Sequence, residues 1–179
     1  MLSIRCVRWM VVLGWVIGVG AVSVGAREPH GATRAGSAEF EWVKSLAGKW
    51  QGTVQEGNGQ SEPAMVEYQV TSGGSAVVET LFAGTPHEMV SVYHDHNGKL
   101  MMTHYCMLGN QPQLRLTGAD AHQLSFSLAK GSGIDAVHDQ HMHALSLHWT
   151  DPDHVTQVWT GYEGGKAKEA TTIALSRVR

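Results

Sequence analysis

Cysteine is nearly absent from this chain, with two in 179 residues. Two cannot build the disulfide framework that staples small exported domains, so stability must come from an apolar core. Charge is also sparse. Asp, Glu, Lys and Arg make up 16 %, the formal net charge is −3, and Lys and Arg never form a run. An electrostatic nucleic-acid binder carries a basic patch, and a coiled coil or a charged tail carries far more charge, so these classes are excluded. A Gly-rich phosphate loop, G-x-S-x-G and C-x-x-C are all missing. What is plentiful is glycine, at 21 residues, and histidine, at 11. Hydrophobic residues reach 42 %, enough for the core of one domain.

The long uncharged stretch lies at the start. Arg5 and Arg8 precede Trp9 to Val24, and Val24-Gly25-Ala26 puts compact residues at the −3 and −1 positions of a cleavage site. This pattern predicts a secretory signal peptide over residues 1–26, since the uncharged stretch is shorter than the ~20 residues of a membrane span. Processing there would leave no transmembrane anchor, keep only Cys106, and place the protein in the periplasm or outside the cell. Residues 27–38 are small and polar and read as a flexible lead-in. Residues 39–179 then form a single domain.

Phe40, Val43 and Leu46 fall at helical spacing, and Gly48 suits the residue just past a helix end. Beyond Gly48 the period changes to two. Trp50 to Val54 and Val66 to Val70 alternate apolar with polar residues, and eight further runs follow, ending with Thr171 to Val178. Asn97-Gly98 between two of them is a strong hairpin signal. Ten short strands with Gly-rich turns and one short helix predict an all-β antiparallel barrel.

The stretch Leu46-Ala47-Gly48-Lys49-Trp50-Gln51-Gly52 resembles the G-x-W-x-G opening of calycin-type barrels, which include lipocalins, fatty-acid-binding proteins and the haem-binding nitrobindins. Thr85-Pro86-His87-Glu88-Met89, Thr103-His104-Tyr105-Cys106 and Gly109-Asn110-Gln111-Pro112 are similar to stretches of exported bacterial lipocalin-like proteins of unassigned function. The resemblance implies a barrel with an interior ligand site and Trp50 plugging its base. Nitrobindins carry a further Gly where this chain has Val54, which counts against haem.

Ten of the 11 histidines lie between His87 and His154. Period two puts His104 on one face with Leu100, Met102 and Cys106, and puts His141 and His143 on one face with Leu145, Leu147 and Trp149. These faces are apolar and should point inward. Three histidines could therefore line one interior, as ligands of a zinc-like metal at ~2.0–2.1 Å or as a hydrogen-bonded set with Tyr105, Asn110 and Gln111. Glu88, beside His87, is the candidate general base. Cys106 has His104 two residues away but no third group to orient it as a nucleophile. Met89, Met107 and Met142 suit an irregular ligand or an irregular core equally. Two functions follow. The first is an exported binder whose small-molecule ligand is oriented by His87, His104, Tyr105, Asn110, Gln111, His141 and His143. The second is a metal-dependent enzyme with His104, His141 and His143 as ligands and Glu88 as base.

Overall fold

The structure, a computed structural model, describes residues 36–57 and 59–179. The expected signal peptide and most of the lead-in lie outside the described residues.

A helix, α1 (Ala38–Ser45), comes first. Ser37 caps it: its Oγ accepts the Phe40 amide at 3.1 Å, satisfying one of the orphan donors of the first turn. Glu39 and Glu41 in that turn and Lys44 in the last turn complement the helix dipole. The inner side buries Phe40 and Val43. Ser37 is itself held by Asp95, whose carboxylate accepts from its Oγ at 2.8 Å, so the cap fastens the helix to the barrel wall.

Eleven strands follow: β1 (Gly48–Gln55), β2 (Ser61–Thr71), β3 (Ala76–Leu81), β4 (Met89–His96), β5 (Lys99–Tyr105), β6 (Gln113–Ala119), β7 (Gln123–Leu128), β8 (His141–Asp151), β9 (His154–Glu163), β10 (Lys166–Ala167) and β11 (Thr171–Arg177). β1 to β9 form a continuous antiparallel meander, and β11 inserts between β9 and β1. This closes a barrel of ten staves, with the two-residue β10 folded back on β9. Closure removes the sticky edges an open sheet would leave. The Asn97-Gly98 turn has φ of 53° and 76°, both positive, as a tight two-residue hairpin demands.

The seven-residue opening now has a physical basis. Trp50 is fully buried at the helix end of the barrel, and its indole N–H donates to the Leu46 carbonyl at 2.8 Å. The Arg177 guanidinium lies 4.3 Å from the Trp50 ring and donates to the carbonyls of Ala47 and Ser45 at 2.9 and 3.0 Å. One arginine therefore stacks on the plug and satisfies carbonyls at the helix C-terminus. At Gly52, a Cβ would sit 1.8 Å from the Ala174 carbonyl oxygen, so only glycine permits this approach of β1 to β11.

Candidate functional site

Period two along the staves turns several polar side chains inward among apolar ones. In β3, Glu79 lies between Val77 and Leu81 and is completely buried. Its carboxylate accepts from the Tyr68 hydroxyl at 2.7 Å, from the Tyr93 hydroxyl at 2.9 Å and from the Gln157 amide. The Gln157 orientation follows from its other neighbour. The Trp159 indole N–H can only donate and meets Gln157 Oε1 at 2.9 Å, so Nε2 faces Tyr68 and Glu79. Burial raises the Glu79 carboxyl above its ordinary range, and the hydrogen bonds from its neighbours pull it only part of the way back. Burial, followed by the charge of Glu79, pushes both tyrosine hydroxyls well above theirs, which keeps them neutral donors.

Ser91, the strand partner of Glu79 across β3 and β4, leads on to His104. Ser91 Oγ lies 3.1 Å from His104 Nδ1, and the ring tilts against Trp159 with centroids 4.7 Å apart. Only 1 % of His104 is exposed, and its Nε2 has no hydrogen-bond partner. Burial without a counter-charge drives its pKa down to about 4, so the ring is neutral at pH 7. His104 borders a cavity of about 380 Å³ at the end of the barrel opposite α1. Val54, Leu81, Phe82, Met89, Met107, Met142, Trp159 and Ile173 supply its apolar wall, and Glu56, Glu62, Thr85 and His87 lie along it as well. This is the composition of a small-molecule site: a mostly apolar surface with few polar groups.

The structure does not bring the three expected histidines together. A bulge in β8 leaves His143 unpaired, between Met142 opposite Gly161 and Ala144 opposite Thr160. One extra residue reverses which side chains face inward beyond it. Met142 therefore lines the cavity, while His141 and His143 gather against Tyr162. His141 Nδ1 lies 2.8 Å from the Asp139 carbonyl, which can only accept, so Nδ1 carries the proton. His141 Nε2 then accepts from His143 Nδ1 at 3.0 Å. The His143 pKa falls below its ordinary value through burial and the neighbouring His141. Among the described residues no three or more His, Cys, Asp or Glu side chains form a group that could hold a metal ion.

The other sequence candidates are scattered. His87 lies on the cavity rim and is exposed. Tyr105 follows His104 directly, so it faces the other way and is 50 % exposed. Asn110 donates to the Gln140 carbonyl at 2.8 Å, and exposed Gln111 turns to the Gly109 carbonyl. Glu88 is exposed and accepts from the Gly84 amide at 2.8 Å. Burial raises the Cys106 thiol pKa, the opposite of activation. Sequence reasoning missed Glu79, Ser91, Tyr68 and Gln157. The signal was there, since Glu79 sits two residues from both Val77 and Leu81, and Gln157 from both Val155 and Trp159.

No protein-family model matches the sequence, and no curated protein matches it either. Among solved structures, the chain is similar to a protein of unknown function from the DUF3598 family of Nostoc punctiforme, at 12 % identity and a TM-score of 0.53. That alignment covers 76 % of this chain and 49 % of the other, so this chain spans about half of its neighbour's length. A redesigned beta barrel aligns at 14 % identity and a TM-score of 0.38, over 76 % of this chain and 95 % of the other. EF1p2_mFAP2b, in a structure bound to DFHBI, aligns at 12 % identity and a TM-score of 0.40, over 78 % and 98 %. At this identity the first similarity concerns the fold alone, a closed antiparallel β-barrel.

Proposed function

We propose that this chain is an exported small-molecule-binding barrel, periplasmic or secreted, whose ligand occupies the cavity opposite α1. One observation carries the reading: the buried His104 Nε2 has no protein partner and belongs to a ring that borders an apolar cavity of about 380 Å³. An unpaired buried nitrogen costs roughly 1–3 kcal/mol, a cost that a ligand group removes on binding. Export rests on the residue pattern of 1–26, and the low charge supports a partner other than nucleic acid. The alternative, a zinc-dependent reaction, draws no support from the geometry, because His141 and His143 bond to each other rather than converging with His104.

N-phenyl-1-naphthylamine, a neutral dye that brightens in apolar cavities, tests the reading. Saturable binding near one equivalent is expected in the purified protein, with loss of that binding when Met142→Trp fills the cavity. A dye that stays dim, or binds Met142→Trp equally well, refutes the assignment.

A further inference from the structure

Sulfur gathers at the mouth of the cavity. Met89, Met107 and Met142 all line it, and His87 stands on the same rim. The chain path brings these four residues together. Met89 opens β4, and His87 precedes it by two residues. Val90 pairs with Tyr105, so Met89 lies beside the point where β5 gives way to the loop that carries Met107. Asn110 of that loop donates to the Gln140 carbonyl at 2.8 Å, two residues before Met142. The loop therefore carries Met107 from the Met89 side of the mouth toward the Met142 side. The β8 bulge is what turns Met142 to the cavity.

These donors are open to solvent and uncommitted. Met107 is 55 % exposed, His87 is exposed, and Met89 and Met142 are only partly buried. The His87 side chain makes no hydrogen bond to the described residues; its backbone N–H donates to Thr85 Oγ at 3.1 Å. Thioethers discriminate sharply among metals. They are neutral and soft, so they suit Cu(I) and its analogue Ag(I) and leave harder divalent ions to oxygen and nitrogen ligands. No Lys or Arg lies among the described residues of the wall, so no fixed positive charge there opposes a cation.

We propose that Met89, Met107, Met142 and His87 form a site for a single Cu(I) ion at the cavity mouth, with three thioether sulfurs and one imidazole nitrogen as its ligands. This goes beyond the small-molecule reading and does not rest on it.

Anaerobic titration of the purified protein with Cu(I), against bicinchoninate as a competing indicator, provides the test. Withdrawal of about one equivalent of Cu(I) is expected, with no comparable uptake of Zn(II). Met107→Leu and Met142→Leu keep the apolar volume and remove the sulfur. Each should weaken Cu(I) binding at least about tenfold and leave the melt of the metal-free protein nearly unchanged. Met65→Leu removes an exposed thioether that does not line the cavity and should change nothing. In His87→Leu only thioethers remain, which bind no proton, so the residual affinity should not vary between about pH 5 and 8. X-ray absorption at the copper edge gives a second readout on the unmodified chain, with sulfur as the main neighbour. Failure to compete with the indicator, undiminished binding by Met107→Leu and Met142→Leu, an equal loss in Met65→Leu, or a copper shell without sulfur each overturns the inference. The dye is absent from this titration, so a dye that never binds leaves the copper result standing.

Discussion

Replacing His104 by leucine removes one titrating group from the barrel, and the effect on stability should depend on pH in a calculable way. In the folded protein burial holds the imidazole pKa at about 4. In the unfolded chain it returns to about 6.5. Between these values the unfolded state binds a proton that the folded state refuses, so the fold weakens as pH falls. The contribution is complete above pH ~6.5, declines by about 1.4 kcal/mol per pH unit, and is lost by pH ~4. The total is about 3 kcal/mol, a large share of the ~5–15 kcal/mol that holds a typical domain together. Glu79, whose strand partner Ser91 meets the His104 ring, works in the opposite direction. Its raised carboxyl takes up a proton more readily when folded, which favours the fold as pH falls. Glu79 is present in both proteins, so comparing wild type with His104→Leu isolates the histidine. Urea denaturation followed by tryptophan fluorescence at pH 7.5, 6, 5 and 4 supplies the measurement. Wild type should lose about 3 kcal/mol relative to the variant across that range, equivalent to roughly 1–2 M in urea midpoint. Parallel pH profiles for the two proteins would show that His104 titrates normally and is not buried as described.

Further substitutions test the frame around the site. Trp50→Ala should cost ~3–5 kcal/mol by thermal or urea melt, because the ring is fully buried and carries both the Leu46 hydrogen bond and the Arg177 contact; a loss below ~1 kcal/mol would place it at the surface. Gly52→Ala should destabilise by ~1–3 kcal/mol or prevent folding, since the new methyl meets the Ala174 carbonyl, whereas Gly59→Ala, with open space around it, should show only the smaller cost of its positive φ. Glu79→Leu should cost ~3 kcal/mol or more by leaving Tyr68, Tyr93 and Gln157 without their shared acceptor, and a near-neutral melt would mean that the network reorganises freely.

The barrel was legible because its signals are local. Alternation marks each stave, Asn97-Gly98 marks a hairpin, and Gly48-Lys49-Trp50-Gln51-Gly52 marks where helix gives way to sheet. His104 falls on the interior face with Leu100 and Met102, as period two implies. The same rule applied to His141 and His143 met a β8 bulge, and no residue type in that stretch announces a bulge, because none needs a positive φ there. Tyr105, expected to orient the ligand, lies outside instead, because neighbours in a strand face opposite ways and His104 takes the interior. The Glu79 network was harder to see for a different reason. Its members sit on β2, β3, β4 and β9, and no spacing along the chain shows that these four staves converge on one carboxylate.

The position of β11 bears on how the barrel is made. Each stave from β2 to β9 pairs with its predecessor in the chain, but β11 pairs Arg177 with Trp50. A chain emerging from its N-terminal side can therefore line up nine staves early, yet the ring stays open until residues 171–177 arrive. During that interval β1 and β9 each present an unpaired edge able to capture a strand from another chain. Closure joins distant parts of the sequence, which makes it the slow step expected of non-local β pairing. Arg177 belongs to that final strand, so the guanidinium that covers Trp50 and binds the helix carbonyls engages only as the ring shuts. Conditions that delay the last strand, rather than those that weaken individual hairpins, should control how much of this protein aggregates before it folds.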